Sequence, residues 1–317
     1  MSKTNNDVEI RAFRKLELKP RSGIYKFFNN AMRNPYVLVA PATVAALAIS
    51  CFAIVFCIVI SFFKWDLIKD TRTFVGFYNY RYIFNDPIFL KALSNTITYA
   101  IFVVLIGTAL KVLFGLFLNK NTKAHNLVQT IMFTPHIIAS VAIAMVFRYM
   151  MMPSEGGVFN TILGWFGLPP CGWYMDKKTA LGSLIFIALW SGMGYGVLLA
   201  ISGLRAIPEY VYEAARLDKS SKLNTLFKIS VPLLSPTIFY MLITTCVGAF
   251  TTYDIVDLMT TGGPDNATNM LTYYIYEQGI HFMHYGRAMA AAVILMIIVS
   301  SLTLISFKVS ANKIHYQ

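Results

Sequence analysis

Charge is what this sequence has least of. Only 13% of its 317 residues are Asp, Glu, Lys or Arg, against 56% hydrophobic, whereas a soluble domain is about a quarter charged. Cysteine is nearly as sparse. Cys51, Cys57, Cys171 and Cys246 have no C-x-x-C or related spacing, which argues against a disulfide framework or a thiolate metal site. Histidine is limited to His125, His136, His281, His284 and His315. Only His281 and His284 share a helical i, i+3 spacing, with no third ligand in sight, and no clustered nucleophile or acid/base set points to an enzyme. A G-x-x-x-x-G-K-[ST] phosphate loop is also missing, which argues against a P-loop nucleotide site in this chain.

Long apolar runs are what the sequence has in excess. A bilayer core of about 30 Å takes roughly 20 apolar helical residues, because each rises about 1.5 Å and all backbone groups must bond internally. Six stretches meet this: Tyr36 to Phe63, Ala92 to about Leu118, Leu127 to Phe147, Thr179 to Leu204, Ile229 to Tyr253 and Ala288 to Phe307. The first is too long for a signal-peptide core and follows a polar tail, so it reads as a retained helix. Lys111, the one charge inside these runs, lies close enough to a helix end to snorkel to the headgroups. His136, beside Pro135 at an expected kink, reads as bonding to local backbone.

Six spans put both termini on one side. Placing them inside gathers 17 of the 27 Lys and Arg there and leaves 9 outside, a net +11 against 0 once acids are counted. That asymmetry orients multi-pass proteins. The overall +12 charge is therefore a topology signal, with anionic membrane lipid the expected partner of the basic tail 1–35, and no nucleic acid. The expected fold is an all-α integral membrane protein of six transmembrane helices, 36–310, with a short cytoplasmic tail 311–317.

Between spans four and five lies the longest inner loop, about 205–232. Pro208 and Glu209 suit the first turn of a helix running to about Asp218, and Ser220 or Ser221 suits the cap of a second one reaching Ile229, with Pro232 opening the span. The result is a polar helix-turn-helix. It reads equally as a surface-lying loop or as a knob for another protein's groove, with Ala214 and Ala215 allowing close approach and Glu213 and Arg216 adding polar contacts.

The order of its residues resembles the EAA motif of permease subunits of ABC importers. Glu213-Ala214-Ala215 is followed after three residues by Lys219 where the motif has Gly, and after nine more by Ile229-Ser230-Val231-Pro232. A glycine there commonly supplies positive φ, so Lys219 puts the turn geometry at issue at roughly 1–2 kcal/mol. Phe74 to Tyr80, Asp86-Pro87-Ile88-Phe89, Ala92 to Thr96, Glu155 to Asn160 and Thr261-Gly262-Gly263-Pro264 with Thr268 extend the likeness over about 36–307. Together they resemble the carbohydrate-uptake branch, on the side of the larger maltose-transporter permease, without that protein's large outer domain in the loop Lys64 to Lys91.

The resemblance implies a non-catalytic transport subunit of the bacterial cell (inner) membrane. It would pair with a second permease, receive motion from two cytoplasmic ATPases that use ATP and Mg, and accept a sugar or oligosaccharide from an extracytoplasmic solute-binding protein. It binds no cofactor of its own. The implied coupling residues are Glu213, Ala214, Ala215, Arg216, Asp218 and Lys219. For the sugar path, polar and aromatic groups inside spans are the candidates: Trp190 and Tyr195 in a glycine-rich stretch that equally suits helix packing, Phe250 and Tyr253, Asp254 as path group or loop cap, and Asn95 with Tyr99. A stand-alone secondary transporter would instead carry inverted repeats and mid-membrane ionisable groups.

Overall fold

The computed structural model describes residues 35–66, 71–154 and 156–311. The basic tail up to residue 34, Glu155, residues 67–70 and the tail 312–317 lie outside the described residues, and with them the expected lipid contact of the tail. The chain divides into two compact units, 1–56 and 57–317. In the first, the described part belongs to helix α1 (Pro35–Ser61). Its large apolar side chains from Tyr36 to Phe56 are exposed, as befits a helix apolar all round whose surroundings are lipid or another apolar chain.

The second unit begins at the last turn of α1 and continues into an antiparallel ribbon, β1 (Phe63–Asp66) with β2 (Thr71–Phe74), in which Phe63 faces Phe74. This ribbon is an addition to the helical expectation. Helices α2 (Tyr78–Phe84), α3 (Pro87–Leu118), α4 (Lys123–Ile137), α5 (Ser140–Met150), α6 (Val158–Trp165), α7 (Ala180–Arg205) and α8 (Glu209–Leu217) follow. Then come α9 (Lys222–Leu233), α10 (Ser235–Phe250), α11 (Asp254–Met259), α12 (Leu271–Tyr276) and α13 (Tyr285–Ala311). Four helices, α1, α3, α7 and α13, are long and apolar enough to cross a membrane unaided, and two bent pairs raise the number to six.

Two of the spans are bent pairs, one of them the span where Pro135 led to an expected kink. In the third span, α4 and α5 meet at 102°. Pro135, in the last turn of α4, has no N–H for the carbonyl four residues back, yet the helix persists to Ile137 and the break falls at Ile138 and Ala139, both extended. His136 does not make the local backbone bond expected of it; its ring stacks on Tyr195 at 4.9 Å. In the fifth span, α9 and α10 meet at 63°. Pro232 and Pro236, four residues apart, each remove an amide from the ladder, and Leu226–Ser230 just before them widens into π-winding.

The core lies where α3, α5, α7 and α10 meet: Tyr99, Val103, Phe147, Leu184, Ile187 and Phe250 are buried in one cluster. Close crossings hold it together. A Cβ on Gly194 of α7 would lie 1.9 Å from the Met132 carbonyl oxygen of α4, so only glycine admits that crossing. Gly196 opens a slot of a different kind, since a Cβ there would meet Lys111 Cδ at 2.3 Å. Lys111 consequently does not snorkel to the headgroups. Its stem lies against α7 and its ammonium donates to Thr245 Oγ1 of α10 at 2.9 Å.

Candidate functional site

Two regions hold most of the residues that sequence patterning singled out. The first is the connection between α7 and α10. After α7, buried Leu204, Ile207 and Leu234 pack together, with Val211, Tyr212 and Leu233 against them. Pro208 is the N-cap of α8 rather than its first residue, and Glu209 follows in the first turn. The helix stops at Leu217. Lys219 N–H donates to the Arg216 carbonyl and Ser220 N–H to the Ala215 carbonyl, each at 3.0 Å, with Lys219 at φ +52°. This is the paired bond pattern of a Schellman stop, with Lys219 in the left-handed position that glycine prefers. Substituting Lys for the motif glycine therefore leaves the turn geometry in place.

Ser221 then caps α9, its Oγ accepting from Asn224 N–H at 3.3 Å. Tyr212 Oη and Ser230 Oγ, 3.4 Å apart, join the two arms of the hairpin. Ala215 is buried between them, whereas Glu213, Ala214, Arg216, Asp218 and Lys219 are exposed. Arg216 reaches Glu209 at 4.0 Å with both side chains largely in solvent, a pair worth at most about 1 kcal/mol. Beside these polar groups, Tyr210 and Leu217 are exposed, Leu217 by 84%. With Ala214 they stand at i, i+4 and i+7, one face of α8. Sequence reasoning missed Tyr210 and Leu217, although their helical spacing was the available signal.

The second region is a cleft of about 290 Å³ among α3, α5, α7 and the segment joining α10 to α11. Tyr99, Tyr253 and Asp254 line it, as do Ser140, Ser191 and Thr252. α10 ends at Phe250, so Asp254 is not in a continuous span but in the first turn of α11, a favourable place for a carboxylate. Ser140 Oγ, opening α5, donates to Asp254 Oδ2 at 3.1 Å. The bond joins the far side of the broken third span to the start of α11. Ser191 and Thr252 lie in the polar and aromatic stretches from which the path candidates came without being singled out, and Ser140 was missed, because a single hydroxyl in an apolar run looks like an ordinary packing residue.

The other path candidates lie elsewhere. Asn95 is buried, and its Nδ2 donates to the carbonyls of Asn266 and Asn269, each at 2.9 Å, holding the loop between α11 and α12. Phe250 is buried in the core and its carbonyl accepts from Thr272 Oγ1 at 2.9 Å. Trp190 stands edge-on to Phe147 with ring centres 5.1 Å apart, and Tyr195 covers His136. Both keep part of their rings exposed, and neither lines the cleft.

The loop that Asn95 holds is tied further by Thr268, whose Oγ1 donates to the Gly263 carbonyl at 2.6 Å. Lys177 pairs with Asp265 on this surface and holds its carboxyl below the usual carboxylate range. Asn160 is a buried hub: its side chain accepts from Cys171 N–H at 3.0 Å and from Trp173 Nε1 at 2.7 Å. Among the described residues no group of three or more His, Cys, Asp or Glu is placed to hold a metal ion.

Comparison with known proteins places these features in a family context. Residues 107–316 match the family described as "Binding-protein-dependent transport system inner membrane component". The arabinooligosaccharides transport system permease protein AraP of Halalkalibacterium halodurans is 31% identical over 96% of this chain and 96% of its own. The probable ABC transporter permease protein YurN of Bacillus subtilis is 34% identical over 86% and 94% respectively. A chain from the crystal structure of a bacterial ABC transporter involved in import of the acidic polysaccharide alginate superposes with TM-score 0.78 and 21% identity, covering 90% of this chain and 99% of that one. At that identity the likeness shows the fold.

Proposed function

Because the chain belongs to the family of binding-protein-dependent transport system inner membrane components, we propose that it is one of two membrane subunits of an ATP-driven importer whose cargo is a sugar or oligosaccharide. It is a multi-pass inner-membrane permease. A second permease completes the translocation path, two ATPases act from the cytoplasm, and a solute-binding protein delivers cargo from outside. The chain itself performs no catalysis and holds no cofactor. Its termini face the cytoplasm, on the side where the sequence places 17 Lys and Arg.

One observation carries the coupling role: α8 and α9 form a hairpin fixed at its turn by paired backbone bonds and across its arms by Tyr212 and Ser230. A stiff hairpin transmits a push, whereas a floppy loop absorbs it. Glu213, Ala214, Arg216, Asp218 and Lys219, with Tyr210 and Leu217 beside them, form the face offered to the ATPase, and buried Ala215 brings α8 close to its own support. When the ATPases close, the push passes through α9 and the 63° bend into α10, and from Phe250 to the Tyr253-Asp254 wall of the cleft. Tyr99, Tyr253 and Asp254, with the hydroxyls of Ser140, Ser191 and Thr252, are the path groups of this half. A volume of about 290 Å³ is just below the roughly 300–1,000 Å³ of small-ligand pockets, consistent with one chain supplying half the wall. The glycan assignment follows the cargo named for relatives such as the arabinooligosaccharide permease.

Glu213→Lys tests this reading in the full complex with its receptor in liposomes. The variant inserts and assembles, while glycan uptake and receptor-stimulated ATP hydrolysis fall at least tenfold, the loss of about 1.4 kcal/mol of coupling. Wild-type uptake and stimulation in that variant refute the docking role.

A further inference from the structure

We infer that α2 and the β1–β2 ribbon form a lipid-interface anchor, seated in the headgroup and upper acyl region of the leaflet at which α3 and α13 begin. Three span ends fix its depth. Asn79, buried in α2, donates through Nδ2 to the Ser61 carbonyl at 2.8 Å and the Phe63 carbonyl at 3.0 Å, and Tyr80 Oη lies 2.7 Å from Ser61 Oγ. These bonds hold α2 to the end of α1. Ile83 is fully buried against Phe89 of α3 and Ala290 and Ala291 of α13. Asp86, the N-cap of α3, accepts from Tyr274 Oη at 2.7 Å. At the start of α13, Gly286 approaches so closely that a Cβ would lie 2.1 Å from the Phe63 carbonyl oxygen.

Around those contacts stand exposed rings, Phe74, Phe77, Tyr78, Tyr82 and Phe84, with exposed Arg81 among them; Phe77 is 73% exposed, and Phe74, Phe77 and Phe84 keep one edge against Phe63, Phe62 and Phe89. Arg287 lies 3.5 Å above the Tyr82 ring and Arg72 4.2 Å above Trp65. The rings run on into Ile88 and Leu90, exposed on the first turn of α3, so the patch is continuous with membrane-facing span surface. Aromatic rings at the depth where spans end, interleaved with arginine, are the composition that favours the lipid–water boundary, where ring faces meet acyl chains and cations meet phosphate. A water-soluble partner would instead leave five aromatic rings in water whenever it dissociated.

The test adds one reporter at a time to the otherwise native complex. Phe77→Trp, and separately Phe84→Trp, are reconstituted in vesicles whose phospholipids are brominated near the glycerol end of the acyl chains. The added emission is read as the difference from wild type. The anchor predicts loss of at least about half of that emission with brominated lipid, with little quenching by aqueous iodide. Absence of bromine quenching at both positions overturns the inference, whether iodide then quenches them from water or a neighbouring subunit covers them from both. So does shielding of both positions from iodide only on addition of the solute receptor, which would make the face a receptor-docking surface.

Discussion

Gly194→Ala is the most demanding test of how the broken third span sits on the rest. The new Cβ would start 1.9 Å from the Met132 carbonyl oxygen and 2.6 Å from Phe133 Cα. Carbon and carbonyl oxygen approach no closer than about 3.3 Å, so α4 must withdraw by roughly 1.4 Å. The obstacle is backbone, so no rotamer change relieves it. Overpacking of this kind costs about 1–3 kcal/mol, and the shift also disturbs the neighbouring His136–Tyr195 stack. Gly192→Ala, two residues earlier and with nothing within 4 Å of its new Cβ, is the matched control. Both variants are purified in the full complex, heated to find the onset of aggregation, and assayed for glycan uptake. The crossing predicts an earlier onset and reduced uptake for Gly194→Ala alone. Equal behaviour of the two variants refutes the reasoning.

Lys219→Gly relieves a left-handed side chain while keeping the Schellman stop, so it stabilises the hairpin by about 1 kcal/mol; slower amide exchange of residues 215–225 checks it, and faster exchange contradicts it. Gly196→Ala drives Lys111 from its slot and lowers the yield of assembled complex, and Lys111→Ala in the same chain restores part of it. Two additive losses would show that the slot does not hold the lysine. His284 is held below the ordinary histidine range by burial first, then by Arg287 and Lys64, with Gln278 Oε1 3.2 Å from its Nδ1. The unfolded chain therefore binds the proton more readily, and local stability falls as pH drops from about 7 through the unfolded value near 6.5. Protection factors around 277–285, taken relative to intrinsic exchange at each pH, fall over that window in wild type but not in His284→Gln, and a flat wild-type protection profile contradicts the assignment.

Several features were legible in one dimension because their physics is local. Apolar runs of span length need only a lipid solvent and internal backbone bonding. The hairpin between α7 and α10 was readable from Pro208, Glu209 and Ser221, since caps act within one turn. The EAA spacing led to the family, which the matched residues 107–316 show. Asp254 was recognisable as an unusual carboxylate, but its partner Ser140 is 114 positions away. Asn95 looked like a path residue because a polar side chain in an apolar run signals function or structure alike. Only its two bonds to the loop at 266–269 distinguish them.

Composition and order alone determined that this chain lives in a bilayer, which runs are long and apolar enough to cross it, and where its polar hairpin falls, because transfer free energy and capping depend on residues within a turn or a span of one another. Tertiary structure alone decided where two spans break, that Lys111 turns inward to Thr245, that Lys219 takes the glycine's place without changing the turn, and which hydroxyls share a cleft with Tyr99 and Asp254. Those outcomes depend on how closely distant helices approach, and contacts such as Gly194 on Met132 or Gly196 on Lys111 exist only once the segments have packed.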